Sequence, residues 1–167
     1  VRIEGKGFNG LKAPETPLDC GNTGTTMRLL SGLLAGVSGM EVTLTGDESL
    51  SSRPMGRVVN PLREMGAEVH AMGEGQRAPI RIRGRHPLQP IRYQSPVASA
   101  QVKSALFLAG LTGGVSVSVL EPHLSRDHTE RMLAARGCPV EEQGGWLEMR
   151  NAVDSLPPMD TVVPGDI

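Results

Sequence analysis

Aromatic side chains are almost missing from this sequence: Phe8, Tyr93, Phe107 and Trp146 are all there are. Stacking platforms for single-stranded nucleic acid need several aromatics together, so a nucleic-acid partner is not expected. No charge of either sign dominates, the formal net being -1 at pH 7. There is thus no global field to draw in a polyanion or an acidic membrane surface. Long apolar runs are missing too. The longest, "ALFLAGL" at 105–111, is far short of the roughly 20 residues that span a bilayer. No secretory signal pattern precedes it. Only two cysteines occur, Cys20 and Cys138, far apart and outside any CxxC pair. They could close one disulfide or remain free; free thiols in a reducing, cytoplasmic setting are the expectation. With so few aromatics the core must be aliphatic. A chain of 167 residues is one domain or two small ones, long enough to bury such a core.

What is present is an apolar periodicity that switches between helical and strand spacing. Residues 25–36 read as a helix, and "EVTLTG" as a strand with Val42 and Leu44 on one face. A second helix is expected from Pro54 to Met65, burying Met55, Val58, Val59, Leu62 and Met65. Proline at its first position and Gly66 just beyond its end are the usual punctuation. Two strands follow, "AEVHAM" and "APIRIRG", around a glycine-rich turn at 73–75. The order then returns: a helix at 99–111, the strand "VSVSVLE", a helix at 126–136 ended by Gly137, and a hairpin of "PVEEQ" and "WLEMRN". "LLSGLLAG" at 29–36 lines up with "KSALFLAG" at 103–110, giving a repeat of about 70 residues. That period is too long for a solenoid. It implies an α/β (α+β) fold of two stacked units sharing a core, parallel helices on one side and mixed sheets on the other.

Cations gather at the predicted helix starts. Arg28 lies in the first turn of the first helix, Arg53 directly before Pro54, Gln101 and Lys103 behind Ser99, and Arg126 behind the cap candidate Ser125. Helix N-termini disfavour cations and favour anions. Cations repeated at several such ends make sense if an anion sits among them, since equivalent helix ends of repeated units fall on one face. The "GNTGTT" turn at 21–26 adds backbone N–H groups that a ligand can approach closely past glycine. The competing reading pairs each arginine with a nearby carboxylate, Arg126 with Glu130 for instance, and lets Asp47 and Glu48 neutralise arginines. Other chemistry finds little support. His70 and His123 have no ligand-like spacing with acidic or cysteine partners, so no metal is expected. GxGxxG and the lysine-serine ending of a P-loop are absent. His128 reads as a surface helix residue near a ligand, and the serines of "ESLSSR" as a loop.

Five blocks carry a resemblance: "LDCGNTGTTMRLLSG", "GDESLSSRPMGRVVNPLREMGA", "YQSPVASAQVKSALFLAGL", "EPHLSRDHTERML" and "VVPGDI". In this order they resemble the 5-enolpyruvylshikimate-3-phosphate synthase family, the 3-phosphoshikimate 1-carboxyvinyltransferases, across residues 18–167. The resemblance implies two similar domains, each of three β-α-β-α-β-β units about a pseudo-threefold axis, with the active site in the cleft between them. On that reading residues 1–16 are the tail of a first, truncated unit, 17–84 the second unit and 85–155 the third. Residues 156–167 are then a strand leading toward a second domain. The opening "VRIEG" without methionine and the abrupt "TVVPGDI" ending fit a piece of a longer polypeptide.

The implied reaction transfers the enolpyruvyl group of phosphoenolpyruvate to the 5-hydroxyl of shikimate 3-phosphate. The hydroxyl adds as the methylene is protonated, and the tetrahedral adduct expels phosphate. No cofactor or metal is implied. The partners are the two small-molecule substrates and the second domain, with no nucleic acid and no membrane. By motif, Thr25, Ser99, Ala100, Gln101, Ser125 and Arg126 resemble the positions that hold shikimate 3-phosphate. Gly24, Arg53 and Gln101 resemble those at phosphoenolpyruvate. Asn22 and Arg28 match positions that brace the turn and neighbouring carboxylates. Glyphosate is implied to compete for the phosphoenolpyruvate pocket, which a methyl at Gly24 would crowd. Leu29 and Ala100 depart from one family branch, which has proline and serine there, and fit the other. The family's proton-transfer residues match no position in this chain, so no catalytic residue is assigned. Two rivals stand beside this reading. One is an enolpyruvyl transferase acting on UDP-N-acetylglucosamine, whose loop cysteine "GDESLSSRP" lacks. The other is a non-catalytic anion-binding α/β module.

Overall fold

The computed structural model describes residues 4–7, 10–150, 155–160 and 162. Phe8 and positions 163–167 of the closing block lie outside them.

Two sheets of identical topology form the framework. The first contains β1 (Leu18–Asp19), β2 (Glu41–Thr45), β3 (Glu68–Gly73) and β4 (Arg77–Arg83), in the order β1-β2-β4-β3. The second contains β5 (Ile91–Gln94), β6 (Val117–Leu120), β7 (Val140–Gln143) and β8 (Trp146–Met149), in the order β5-β6-β8-β7. In each sheet the leading strand pairs in parallel with the next, Leu18 opposite Leu44 and Ile91 opposite Val117. The second strand then pairs antiparallel with the last strand of the closing hairpin, Val42 opposite Ile82 and Val117 opposite Met149. The repeat is therefore structural, leading strand included. Parallel strands need a crossover, and α1 (Gly24–Ala35) and α4 (Ala100–Gly113) supply it in the two units.

These two helices lie side by side and point the same way. Arg28 meets Gln101 near their N-terminal ends, Gly32 meets Ala105 midway, and Gly36 meets Thr112 and Gly113 at the C-terminal ends. Gly32 permits the closest approach: a Cβ there would overlap the Ala105 carbonyl group and lie 2.7 Å from its Cα. At the far ends the Thr112 hydroxyl donates to Leu33 O at 2.9 Å. The linker between the units is fastened there as well, with Arg85 N bonded to Ala35 O and Leu88 N to Gly113 O. The N-terminal ends of both helices are left on the opposite side of the molecule. The core between helices and sheets is aliphatic as expected, with Met27, Leu44, Leu62, Ile82, Leu106 and Met149 among its fully buried members. Cys20 and Cys138 are free and buried. Burial pushes both thiols up, and Asp19 adds to this at Cys20. Among the described residues no helix is long and apolar enough to cross a membrane.

Several boundaries differ from expectation. "ESLSSR" is not all loop: α2 (Glu48–Ser51) forms there, its end capped by Asp47, whose Oδ1 accepts Leu50 N–H at 2.8 Å. The next helix, α3 (Gly56–Glu64), starts two residues after Pro54. Met55 N–H is held by Gln76 O at 2.8 Å, and Pro54 O accepts from Arg28. The predicted apolar face is nonetheless buried, from Met55 through Met65. The last helix, α5 (His128–Ala134), does not start under Ser125. Asp127 stands at its cap without a side-chain bond, and the Ser125 hydroxyl instead donates to Glu121. Residues 156–160 and 162 carry no strand.

Candidate anion-binding site at the parallel helix ends

The site begins with a turn that caps itself. Thr23 Oγ1 accepts Thr26 N–H at 3.1 Å, closing the N-terminal end of α1, which leaves other first-turn N–H groups without intrahelical acceptors. Gly24 opens the helix and is buried. A methyl built on it would stand 2.6 Å from Arg28 Nη1 and 3.4 Å from Arg53 Nη1. Two guanidinium groups thus converge over one Cα. The turn is tied to the next loop by Asn22, whose Nδ2 donates to Asp47 Oδ2 at 2.7 Å and whose Oδ1 accepts from Arg53 Nη2 at 2.6 Å. Arg53 also reaches Ser49 Oγ at 3.3 Å.

From the second repeat comes the first turn of α4. Ser99 caps it by accepting Val102 N–H. Ala100 and Gln101 follow as its first two residues, so their backbone N–H groups have no intrahelical acceptor. The Gln101 amide is oriented on both sides: Oε1 accepts Arg28 Nη1 at 2.8 Å, and Nε2 donates to Thr25 Oγ1 at 2.7 Å. The hydroxyl of Thr25 then has its own proton uncommitted among the described residues. Arg28 bridges the repeats and donates weakly to Pro54 O at 3.4 Å. It braces neutral oxygens rather than carboxylates, which corrects the expected role.

Electrostatics sharpen the picture. Burial, then the like charges of Arg53 and Arg57, hold the Arg28 guanidinium below its ordinary value. Among the described residues none of these three arginines forms an ion pair with a carboxylate. Asp47, which Asn22 links to Arg53, has its oxygens engaged by Leu50 N–H and Asn22 Nδ2. Asp47 forms no ion pair with Arg53 but is linked to it through Asn22, and the Leu50 N–H, Asn22 and then the Arg53 charge hold its carboxyl below the usual range. Arg57 was missed in the sequence because the helix was expected to begin at Pro54; with the start at Gly56 it is another first-turn cation.

Lys103 behaves differently from the others. Its side chain is 1% exposed and lies 3.1 Å from Glu121 Oε2 and 2.5 Å from Glu130 Oε1. It is neutralised internally and is not available to a ligand. Glu130, expected opposite Arg126, faces Lys103 instead. Arg126 is exposed and makes no hydrogen bond or ion pair among the described residues. Ser125, directly before it, is fixed to Glu121, whose other oxygen accepts Ser99 N–H at 2.7 Å. His128 is exposed at the start of α5. Gly24, Thr25, Arg28, Arg53, Ser99, Ala100 and Gln101 thus meet around the N-terminal ends of α1 and α4, and Ser125 joins them through Glu121.

Comparison with known proteins accords with this arrangement. The family description "EPSP synthase (3-phosphoshikimate 1-carboxyvinyltransferase)" matches residues 1–167. The 3-phosphoshikimate 1-carboxyvinyltransferase of Citrifermentans bemidjiense is 53% identical over 167 residues, covering 100% of this chain and 38% of that protein. The enzyme of the same name from Alkalilimnicola ehrlichii is 58% identical over 144 residues, 86% of this chain and 32% of that one. The chain thus spans little more than a third of the length of the curated relatives it matches. A solved EPSP synthase from Acinetobacter baumannii superposes with a TM-score of 0.84 at 46% identity, covering 89% of this chain and 33% of that one. Motif order, paired sheets and this match over the whole chain establish that it belongs to the EPSP synthase family.

Proposed function

We propose that this chain forms one wall of the active-site cleft of an enzyme that transfers the enolpyruvyl group of phosphoenolpyruvate to the 5-hydroxyl of shikimate 3-phosphate. A second domain supplies the opposite wall and the proton-transfer groups, and the enzyme works in the cytoplasm. The observation that supports this most is Arg28, repelled by Arg53 and Arg57 beside the open ends of two parallel helices, none of the three forming an ion pair with a carboxylate among the described residues. Both substrates carry a carboxylate and a phosphate, and fixed cations aimed at such groups favour binding and stabilise charge in transfer. Gly24, Arg53 and Gln101 are assigned to phosphoenolpyruvate. Thr25, Ser99, Ala100, Gln101 and Arg126 are assigned to shikimate 3-phosphate, with Asn22 and Arg28 as braces. Holding both substrates against one surface also removes much of the entropic barrier to their reaction.

Calorimetric titration of the chain with shikimate 3-phosphate, UDP-N-acetylglucosamine and a short RNA tests this assignment. Weak binding of shikimate 3-phosphate alone is the expected result. Preference for the UDP-sugar or for RNA would overturn it, and phosphate release by the 167-residue chain alone would overturn the one-wall proposal.

A further inference from the structure

We infer that Glu121 is a positioning residue that fixes two lips of the shikimate 3-phosphate site, Ser99 and the Ser125–Arg126 segment, through a single carboxylate. The inference rests on the function proposed above. Glu121 follows β6 directly, and its side chain is only 2% exposed. Oε1 accepts Ser99 N–H at 2.7 Å, at the cap of α4. Oε2 accepts the Ser125 hydroxyl at 2.8 Å and the Ser125 N–H at 3.4 Å, and lies 3.1 Å from Lys103 Nζ. Four donors thus converge on one carboxylate, one at Oε1 and three at Oε2. Lys103 in turn is held by Glu130 of α5, and the Ser104 and Thr129 hydroxyls meet at 2.6 Å beside it. The buried cluster therefore joins three elements: the start of α4, the end of β6 and the start of α5.

Two consequences separate Ser99 from Ser125. The Ser99 oxygen accepts Val102 N–H, so its hydroxyl proton has no acceptor among the described residues and is available to an anion. Ser125 has its only hydroxyl proton on Glu121. It presents lone pairs, which an anion avoids, so Ser125 acts by anchoring Arg126 rather than by donating to phosphate. This departs from the role that resemblance implies for Ser125.

Steady-state kinetics of the whole enzyme bearing Glu121→Gln test the inference. Glutamine keeps the shape, and the remaining Lys103–Glu130 pair is charge-balanced. The positioning role predicts that KM for shikimate 3-phosphate rises at least about tenfold while KM for phosphoenolpyruvate and kcat stay within about threefold. A merely structural ion pair would lower the melting temperature and leave the ratio of the two KM values unchanged, and that result overturns the inference. A second measurement does not depend on the folding of that variant. Ser125→Ala should raise KM for shikimate 3-phosphate about fivefold beside Arg126 and have no further effect in the Arg126→Ala background, because the two act in series. Additive effects would make Ser125 a direct ligand and refute the assignment. A parent enzyme that fails to use shikimate 3-phosphate would instead refute the proposed function, so the two failures are distinguishable.

Discussion

Gly24→Ala separates the stability of the anion site from its function. The new methyl would stand 2.6 Å from Arg28 Nη1, 3.4 Å from Arg53 Nη1 and 3.6 Å from Leu50 Cδ1. Only the first contact is severe, and it is with the end of a flexible side chain. Carbon and nitrogen pack at about 3.5 Å or more, so the guanidinium must retreat by roughly 1 Å. Its bond to Gln101 Oε1 is 2.8 Å long, and a displacement of that size takes it out of hydrogen-bond range. The loss of a hydrogen bond to a charged group is worth about 1.5–3 kcal/mol. That corresponds to roughly 10- to 150-fold in affinity for a ligand that needs Gln101 and the arginines in place. The lost bond is internal to the fold and costs stability as well, offset in part because alanine is up to about 1 kcal/mol better than glycine in a helix. Melting curves should therefore show a net loss of no more than about 2 kcal/mol. Phosphate-release kinetics of the whole enzyme should show a raised KM for phosphoenolpyruvate, and glyphosate inhibition should weaken in parallel. An unchanged KM for phosphoenolpyruvate, or a stability loss above about 2 kcal/mol, would refute the reasoning.

The same geometry yields further expectations. Gly32→Ala presses a methyl into the Ala105 backbone, which cannot yield as a side-chain tip can, so denaturant titration should show a loss of about 1–3 kcal/mol; a neutral result would mean α1 and α4 separate freely. Arg126→Ala removes an exposed cation without partners among the described residues and should weaken shikimate 3-phosphate binding by about 1.5–3 kcal/mol in calorimetry, with melting temperature unchanged. Burial alone would raise the Glu121 carboxyl, but the Ser125 hydroxyl, Ser99 N–H and Lys103 outweigh it and hold it below the usual carboxylate range. A carboxyl lowered on folding contributes stability above its unfolded value, lost as pH falls through the folded one. Below about pH 4.3 the parent should therefore lose stability more steeply than Glu121→Gln, and parallel pH curves would contradict the hydrogen-bond assignment.

Most of the framework was legible because it rests on local periodicity. Alternating Val42 and Leu44, and the spacing of Met55, Val58, Val59, Leu62 and Met65, mark buried faces that the structure retains. The repeat was visible because "LLSGLLAG" and "KSALFLAG" meet the same demand, two helices approaching closely along α1 and α4. What escaped was set by side-chain and loop captures that the apolar periodicity does not record, distant in sequence at α3 and only four residues apart at α5. The start of α3 moved because Gln76 and Arg28 hold the backbone at Met55 and Pro54. The start of α5 moved because a carboxylate at position 121 captures Ser125. Neither capture leaves a mark in the local pattern. At the site, Gly24 and Gln101 were legible from motif, and Arg57 followed only once the true start of α3 was known.

The cations at helix starts divide into two kinds that a sequence writes identically. Lys103 and Arg28 are the fourth and fifth residues of two parallel helices, close to the end where the macrodipole disfavours a cation by about 0.3–1 kcal/mol. For Lys103 the fold brings two carboxylates within 3.1 Å, one directly after β6 and one from α5, and the charge is satisfied internally. For Arg28 it brings a glutamine oxygen, a proline carbonyl and two more arginines. Those oxygens satisfy its hydrogen bonds but not its charge, so a positive potential is left at the molecular surface. Removing a carboxylate from beside Lys103 would leave an unpaired buried charge, a structural defect. Placing a carboxylate beside Arg28 would do the opposite, relieving the repulsion and competing with the ligand. Counter-charge supplied by the fold marks a cation as structural, and counter-charge withheld from a cation that is otherwise well braced marks the position an anionic substrate completes.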